Sequence, residues 1–544
     1  MSLEDLLLLA GGHWTTLVAM VAAVWLLSKV ARAATNAVGP TSRAPRPEKA
    51  PAAGAARPRA NPGASHAGAA RAQASPEVLR LRSLLLGIAR QSQTLAMEVQ
   101  RERANRRFVP LLTGWIPEQV RELDASLGQG STQAVRVVDE LANRLLLVLG
   151  EVRELIRQRR DPSLLPQLGD ADALAEACYA PIVRFAQAEG LPLTTAWPVT
   201  RLSEMNLAIW TGFAPTSIAP IFLPQGFFDS FSYWPALAHE IGHDFLISVR
   251  GLDQALREEL RIPSEATGSL PLRFDDDGLP YSEAQRVFGA WFEEIFSDTF
   301  GTLMLGPAYV GTMCQHFASR GDAHDVLVVP FDPETLRTDV HPPGQLRVHI
   351  GCWVLERAGL RADAAALRAR WNDHHGFAPE APLSLYFPAG GRYVGLPLAA
   401  FVALLEPLLE RLYAGPLTGL SQMGLTAVSG LDFGPHEQAE TQRACASLLA
   451  GEVPTVRDAR AIIAGAALAA RAAPRAEAQL LARARAAIPA IGTLEHRPDA
   501  FRPTELDPRL SRGLDMGRDA LVEALLLYEI LEPPSARTAR RRGA

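Results

Sequence analysis

Cysteine is scarce and scattered, with only Cys178, Cys314, Cys352 and Cys445 in 544 residues. No two form a C-x-x-C pair, which argues against a disulfide framework or a cysteine-built zinc site. Reduced, buried thiols are the expectation, and they favour the cytosolic side of a membrane. Charge of one sign is lacking as well: a net charge of −5 and a pI near 6.2 leave no global footprint for nucleic acid. No Walker loop, dinucleotide fingerprint or G-x-S-x-G elbow stands between a strand and a helix, so phosphate-loop and nucleophilic-serine chemistry have no anchor. What remains is a chain that is 48% hydrophobic and 21% charged, with material for about three or four domains and a sizeable core.

The segment Leu6 to Leu27 holds no charged side chain and is long enough, at about 1.5 Å per residue, to cross a hydrocarbon core of roughly 30 Å. Gly11-Gly12-His13 interrupts it, and a signal peptide or an interfacial helix are the alternatives. A signal peptide wants a basic residue before the apolar run, whereas here Glu4 and Asp5 precede it and Lys29 and Arg32 follow. The positive-inside rule then gives a single-pass anchor in the cell membrane over residues 1–34, with the bulk of the chain cytoplasmic. Residues 35–75 are rich in Ala, Pro, Gly and Arg and poor in large apolar side chains, so they read as a disordered tether with an r.m.s. span of roughly 35 Å.

Beyond the tether the periodicity is helical, and the expected fold is mainly α with a small β-sheet. Leu79, Leu81, Leu84, Leu85, Ile88 and Leu95 make one stripe, and Val138, Leu141, Leu145, Leu146, Val148, Val152 and Ile156 another, separated by a break at Gly128-Gln-Gly-Ser-Thr132. A further helix is expected around Asp170 to Glu189, completing a helical accessory region over 76–190 whose flanks offer a surface for a protein partner. Ile218-Ala-Pro-Ile-Phe-Leu-Pro224 reads as an edge strand, because its prolines cannot donate to a ladder on both sides. Such an edge either aligns a peptide by strand addition or is simply structural. After residue 361 the pattern is again helical, over Leu396 to Leu412, Val456 to Ile488 and Met516 to Leu531, and the Arg-rich end reads as a frayed tail.

The chemistry concentrates in Trp234-Pro-Ala-Leu-Ala-His-Glu-Ile-Gly-His-Asp-Phe245. On a helix, His239 and His243 project from one face a turn apart, so both imidazoles can reach one metal ion with Glu240 beside them. A catalytic zinc keeps three protein ligands and an open position. The alternative is a surface helix carrying the pattern by accident. Against it stand the apolar neighbours Ala236, Leu237, Ala238, Ile241 and Phe245, and Gly242, which leaves room for close packing.

Glu294 and Asp298, four apart in Trp291-Phe-Glu-Glu-Ile-Phe-Ser-Asp298, share a second helix face, where one can bind a metal and the other orient a ligand histidine. A solvated acidic face is the alternative, in poor accord with the aromatic neighbours. Together the HExxH and ExxxD motifs resemble those of the gluzincin metallopeptidases. The resemblance implies zinc held by His239, His243 and Glu294, Glu240 as general base, Asp298 supporting the first histidine, and Glu293 as the rival third ligand. His341-Pro-Pro-Gly-Gln-Leu-Arg347 further resembles the His-Pro-x4-Arg element of the HtpX-type and CAAX-prenyl-protease branch, which implies that His341 and Arg347 sit by the developing oxyanion. Alone, that element is a helix start with a surface charge.

By this resemblance residues 191–360 form a zincin-like (α+β) core, and 361–544 a C-terminal helical domain. The protein is then a membrane-tethered zinc endopeptidase acting on protein or peptide substrates, without nucleic acid. The other reading is a catalytically silent scaffold of the same shape that binds a partner at the membrane. His316, His349, His374, His375 and His436 have no ligand spacing and read as surface or cap residues, with His349 the nearest to the oxyanion pair.

Overall fold

The computed structural model describes residues 75–488 except 129–131, 192, 194–196, 205–206, 211–217, 250, 263–280, 319–326, 330, 333–336, 339–340, 377–380 and 388–391. The expected anchor at Leu6 to Leu27, the tether and the helix at Met516 to Leu531 lie outside the described residues. Among those described, no helix is long and apolar enough to cross a membrane.

The chain is mainly helical, with small sheets. Helix α1 (Pro76–Val99) begins where the Ser75 side chain accepts from the Val78 N–H at 3.3 Å and Pro76 fixes the first turn. Its buried stripe is Val78, Leu81, Leu85, Ile88 and Leu95. Leu79, expected on that stripe, is 56% exposed, because two residues at 100° each carry it about 200° around from Leu81. Helices α2 (Ile116–Leu127) and α3 (Thr132–Arg160) complete a first apolar cluster. Helix α4 (Leu165–Ala188) belongs to the second and larger cluster, which holds most of the described chain that follows.

A three-stranded sheet lies between the two clusters. It comprises β1 (Trp197–Ser203), β2 (Ala208–Ile209) and β3 (Ile218–Pro224), in the order β1-β3-β2. Strand β3 is therefore central, which corrects its reading as an edge. It runs parallel to β1 along its whole length and antiparallel to β2 at Ile221 and Phe222. Pro220 is tolerated because its missing donor faces the short partner. Trp210 N donates to Pro220 O at 2.9 Å, no return bond can form, and β2 ends at Ile209. The alternation along β3 explains its unbroken apolar run: Ile218 and Phe222 face the first cluster, and Ala219, Ile221 and Leu223 the second.

The outer edge of β1 is closed by side chains. Thr200 N donates to Asp172 Oδ1 at 2.7 Å, and Thr200 O accepts from the buried Arg159 at 2.9 Å. Gln158 exchanges two bonds of 2.8 Å with the Leu202 main chain. Arg159 also pairs with Asp172 at 2.7 Å, and Glu151 with Arg201 at 2.8 Å. These groups blunt an edge that a passing strand would otherwise occupy, and they weld α3 and α4 to the sheet. Strand addition on β3 or on the Thr200–Leu202 edge has no open ladder.

The order continues with α5 (Leu237–Ser248), α6 (Leu252–Glu259), α7 (Tyr281–Leu305) and α8 (Pro307–Ala318). Then come α9 (Gly344–Arg357), α10 (Arg361–His375), a hairpin of β-strands Leu383–Phe387 and Arg392–Leu396, and α11 (Leu398–Ala414). Helices α12 (Pro435–Leu449), α13 (Ala459–Ala472) and α14 (Glu477–Ala487) close the described chain. All four cysteines are free, as expected, and burial pushes the thiols of Cys178, Cys314 and Cys352 up to about 12.

One member of the charged seam titrates near neutrality. Burial raises the Glu176 carboxyl from 4.5 to about 7, despite Arg107 at 3.7 Å. The folded state therefore holds a proton that the unfolded chain releases near 4.5, so this stabilisation is full below about 4.5 and lost as pH rises through 7. Replacing Glu176→Gln is expected to raise unfolding free energy at pH 8, on the order of 1–3 kcal/mol, and to leave it little changed at pH 5. Denaturant titrations at the two pH values check this, and parallel pH profiles for the two proteins would contradict it.

Candidate metal centre

Helix α5 is set in place before its first turn. A 3-10 segment, Phe231–Ala236, begins with the Ser230 side chain accepting from Ser232 N, and Trp234 donates through Nε1 to Phe227 O at 3.0 Å while stacking on the Phe227 ring. Pro235 falls in this 3-10 segment, just ahead of α5. Leu237, Ala238, Ile241 and Phe245 are buried, and the Phe245 ring lies 5.6 Å from Phe296 and 5.8 Å from Phe300 of α7. The two helices meet closely at Gly242, where a Cβ would stand 2.8 Å from Ser297 Cα. No larger residue fits there without moving a backbone.

That crossing places the histidine face of α5 against the carboxylate face of α7. His239 Nε2 and His243 Nε2 are 3.0 Å apart; Glu294 Oε2 is 3.3 Å from the first and Glu294 Oε1 3.4 Å from the second. With zinc–nitrogen and zinc–oxygen bonds near 2.0–2.1 Å, tetrahedral ligand atoms stand about 3.3 Å apart, close to the separation of each ring nitrogen from the other ring and from one of the two Glu294 oxygens. These are the residues that the two motifs name, and they form a group able to hold a metal ion.

The far side of each ring is tied. His243 Nδ1 lies 2.8 Å from Glu293 Oε1. His239 Nδ1 lies 3.2 Å from both Asp298 Oδ1 and the Tyr309 hydroxyl, which itself donates to Asp298 Oδ1 at 2.6 Å. With Nδ1 engaged by an acceptor, each neutral imidazole presents a free Nε2 lone pair to the centre. Asp298 therefore stands where the motif puts it. Glu293, the rival ligand, instead orients His243.

Arg347, on α9, is buried against the cluster. It grips Asp298 with Nε and Nη2, each at 2.8 Å, and its Nη1 lies 3.0 Å from Glu294 Oε2. Oε2 nonetheless accepts no well-aligned hydrogen bond. A hydrogen bond weakens steeply off axis, so Oε2 is an under-satisfied buried acceptor despite the short distance. Arg347 Nη2 also lies 3.3 Å from His239 Nε2. His341 stays at the rim, 58% exposed, with Nε2 at 3.5 Å from Glu294 Oε1. Glu240 is half-buried in the first turn of α5, and among the described residues it makes no hydrogen bond or ion pair. His349 faces elsewhere, 3.6 Å from Glu406.

With both imidazoles neutral, the charges of the cluster do not balance. Glu293, Glu294 and Asp298 set three negative charges against one on Arg347, leaving a deficit of two when both imidazoles are neutral. Burial opposes a charge on His239, but Glu294 and Asp298 outweigh it and push the imidazole up to about 10; against the same burial, Glu294 and Glu293 raise His243. Burial likewise opposes ionisation of Glu294 and Asp298, and Arg347 overcomes it, holding both low. Two protons on the rings, or one divalent cation, fill the deficit. Zinc fits both the donor set and the charge.

Tyr309 carried no legible sequence signal, and Glu293 carried one for a different role. Tyr309 reaches the cluster because Gly306, at φ +55°, turns α8 back on α7, and because a Cβ at Gly301 would collide with the Tyr309 ring at 2.6 Å. The duty of Glu293 follows only from the rotation of α7. Because the Gly242 contact sets the helix spacing, Gly242→Ala is expected to cost about 1–3 kcal/mol and to weaken zinc retention markedly. Thermal unfolding and metal analysis of the purified variant check this; unchanged zinc content would contradict it. Comparison of the chain with protein-family models, with curated proteins and with solved structures finds no match to any of them.

Proposed function

We propose that this chain is a zinc-dependent endopeptidase that hydrolyses peptide bonds in protein or peptide substrates, tethered to the cell membrane through its N-terminal apolar segment with the catalytic part in the cytoplasm. One observation carries the reading. His239, His243 and Glu294 converge, each ring nitrogen within 3.0–3.4 Å of the other and of a Glu294 oxygen, beside a carboxylate, Glu240, that is not engaged by any described neighbour. When bound, zinc supplies a Lewis acid and a nucleophilic water at neutral pH.

The protein's own groups supply the rest. Glu240 directly follows a ligand on the same helix turn, and it takes the proton as water adds to the substrate carbonyl, then delivers it to the leaving amine. His341, exposed at the rim, donates a hydrogen bond to the negative charge growing on the carbonyl oxygen. Arg347 takes a different part from the one its motif implies. Buried on Asp298 and Glu294, it is a positioning residue that holds the ligand carboxylate and the carboxylate behind His239 in register. It supports the oxyanion only through them.

A second reading has its own observation. The Arg347 pairs satisfy part of the cluster without metal, as they would in a protein that kept this fold as a scaffold for a partner. Glu240→Gln separates the two readings. It is expected to leave zinc content at the wild-type level while cleavage of a mixture of internally quenched peptides falls by about 10²–10⁴-fold. Wild-type turnover in that variant would overturn the mechanism, and a wild-type chain that holds zinc yet cleaves nothing would favour the scaffold.

A further inference from the structure

A second site lies on α8, among residues other than those of the metal cluster. A cavity of about 360 Å³ opens between α8, α10, the end of α13 and the start of α14. Its volume falls within the range of small-molecule sites. Its wall is largely apolar, with Leu367, Trp371 and Pro474 among its residues, and two arginines, Arg370 and Arg471, face into it.

Arg471 is built in, not draped over the surface. Its guanidinium lies on α8 over Gly311, where a Cβ would stand 2.5 Å from Nη1 and 2.7 Å from Cζ. Nη2 donates to Ala308 O at 2.7 Å and to Thr312 Oγ1 at 2.8 Å. Both are neutral acceptors. Nε is buried and, among the described residues, donates to nothing. A guanidinium has five N–H groups in a fixed fork, so this one keeps donors unspent.

No counter-ion is at hand. Among the described residues, neither Arg471 nor Arg370 has a carboxylate within ion-pair distance. Glu477 lines the same cavity, but its Oε1 accepts from Ser230 Oγ and Phe231 N. Cys314, also in the wall, has its thiol pushed up to about 12 by burial and stays neutral. Burial, and the like charge of Arg370, press the Arg471 guanidinium down to about 10. A buried charge is costly unless paired, and planar N–H forks are suited to carboxylates and phosphates.

We propose that this cavity binds a small organic anion, its carboxylate or phosphoryl head between Arg471 and Arg370 and its apolar body against Trp371, Leu367 and Pro474. The anion neutralises a charge that the fold leaves unpaired, and the apolar wall selects for a ligand with a hydrophobic body. The site is independent of the metal reading, since it shares no side chain with the zinc ligands or Glu240.

Calorimetric titration of the full chain with benzoate, phenyl phosphate and the neutral analogue benzyl alcohol tests it. Saturable one-to-one binding of at least one anion is expected, with benzyl alcohol at least about tenfold weaker. Arg370 is exposed, so Arg370→Gln should melt with the wild type while losing about tenfold or more in affinity for that anion. Benzoate alone binding assigns the head as a carboxylate, and phenyl phosphate alone as a phosphoryl group. Absence of saturable binding by either anion, equal binding of benzyl alcohol, or unchanged affinity in Arg370→Gln would overturn the proposal.

Discussion

The candidate centre depends on how closely two helices can lie. Where α5 crosses α7 the space between Gly242 and Ser297 admits no side chain carbon, and this contact sets the imidazole face of one helix against the carboxylate face of the other at ligand distances. Aromatic packing of Phe245 on Phe296 and Phe300 holds the crossing from the buried side. Directional polar bonds hold it from the other: Glu293 behind His243, and Asp298 with Tyr309 behind His239. The apolar packing gives the approach, and the hydrogen bonds fix which ring nitrogen looks inward.

The same closeness creates the electrostatic demand. Gathering the buried Glu294, Asp298 and Arg347 beside the half-buried Glu293 leaves a negative excess that two ring protons or a divalent ion can fill, because burial makes an unmatched charge expensive. Arg347 moderates the deficit without closing it. It lowers the cost of keeping Glu294 and Asp298 ionised while leaving Glu294 Oε2 without an aligned donor. The cavity on α8 shows the opposite imbalance, a fixed cation with no anion. Each site is defined by a charge that the surrounding fold does not answer.

What was legible in the sequence was what local spacing decides. The four-residue offsets of His239 and His243, and of Glu294 and Asp298, fix a shared helix face wherever those helices go, and the apolar neighbours marked both helices as buried. What was not legible depends on tertiary placement. Pro220 and Pro224 argue for an edge strand until it is known that the antiparallel partner of β3 is only two residues long. Arg347 stands in the motif expected beside the oxyanion, but the packing of α9 turns its guanidinium onto two carboxylates. Tyr309 enters through a reversal of the chain at Gly306 that no periodicity records. Arg471 reaches its cavity from α13, far along the chain from the α8 groups that receive it.

Zinc-edge X-ray absorption on the full chain, reconstituted with one equivalent of zinc and freed of excess, shows whether two imidazoles and a carboxylate form a metal-binding tripod. A first shell of nitrogen and oxygen at about 2.0–2.1 Å with the outer-shell signature of two imidazoles is expected, and loss of one imidazole in His243→Ala. A chain that retains no zinc, or a shell with sulfur at about 2.3 Å or without imidazole, would contradict it.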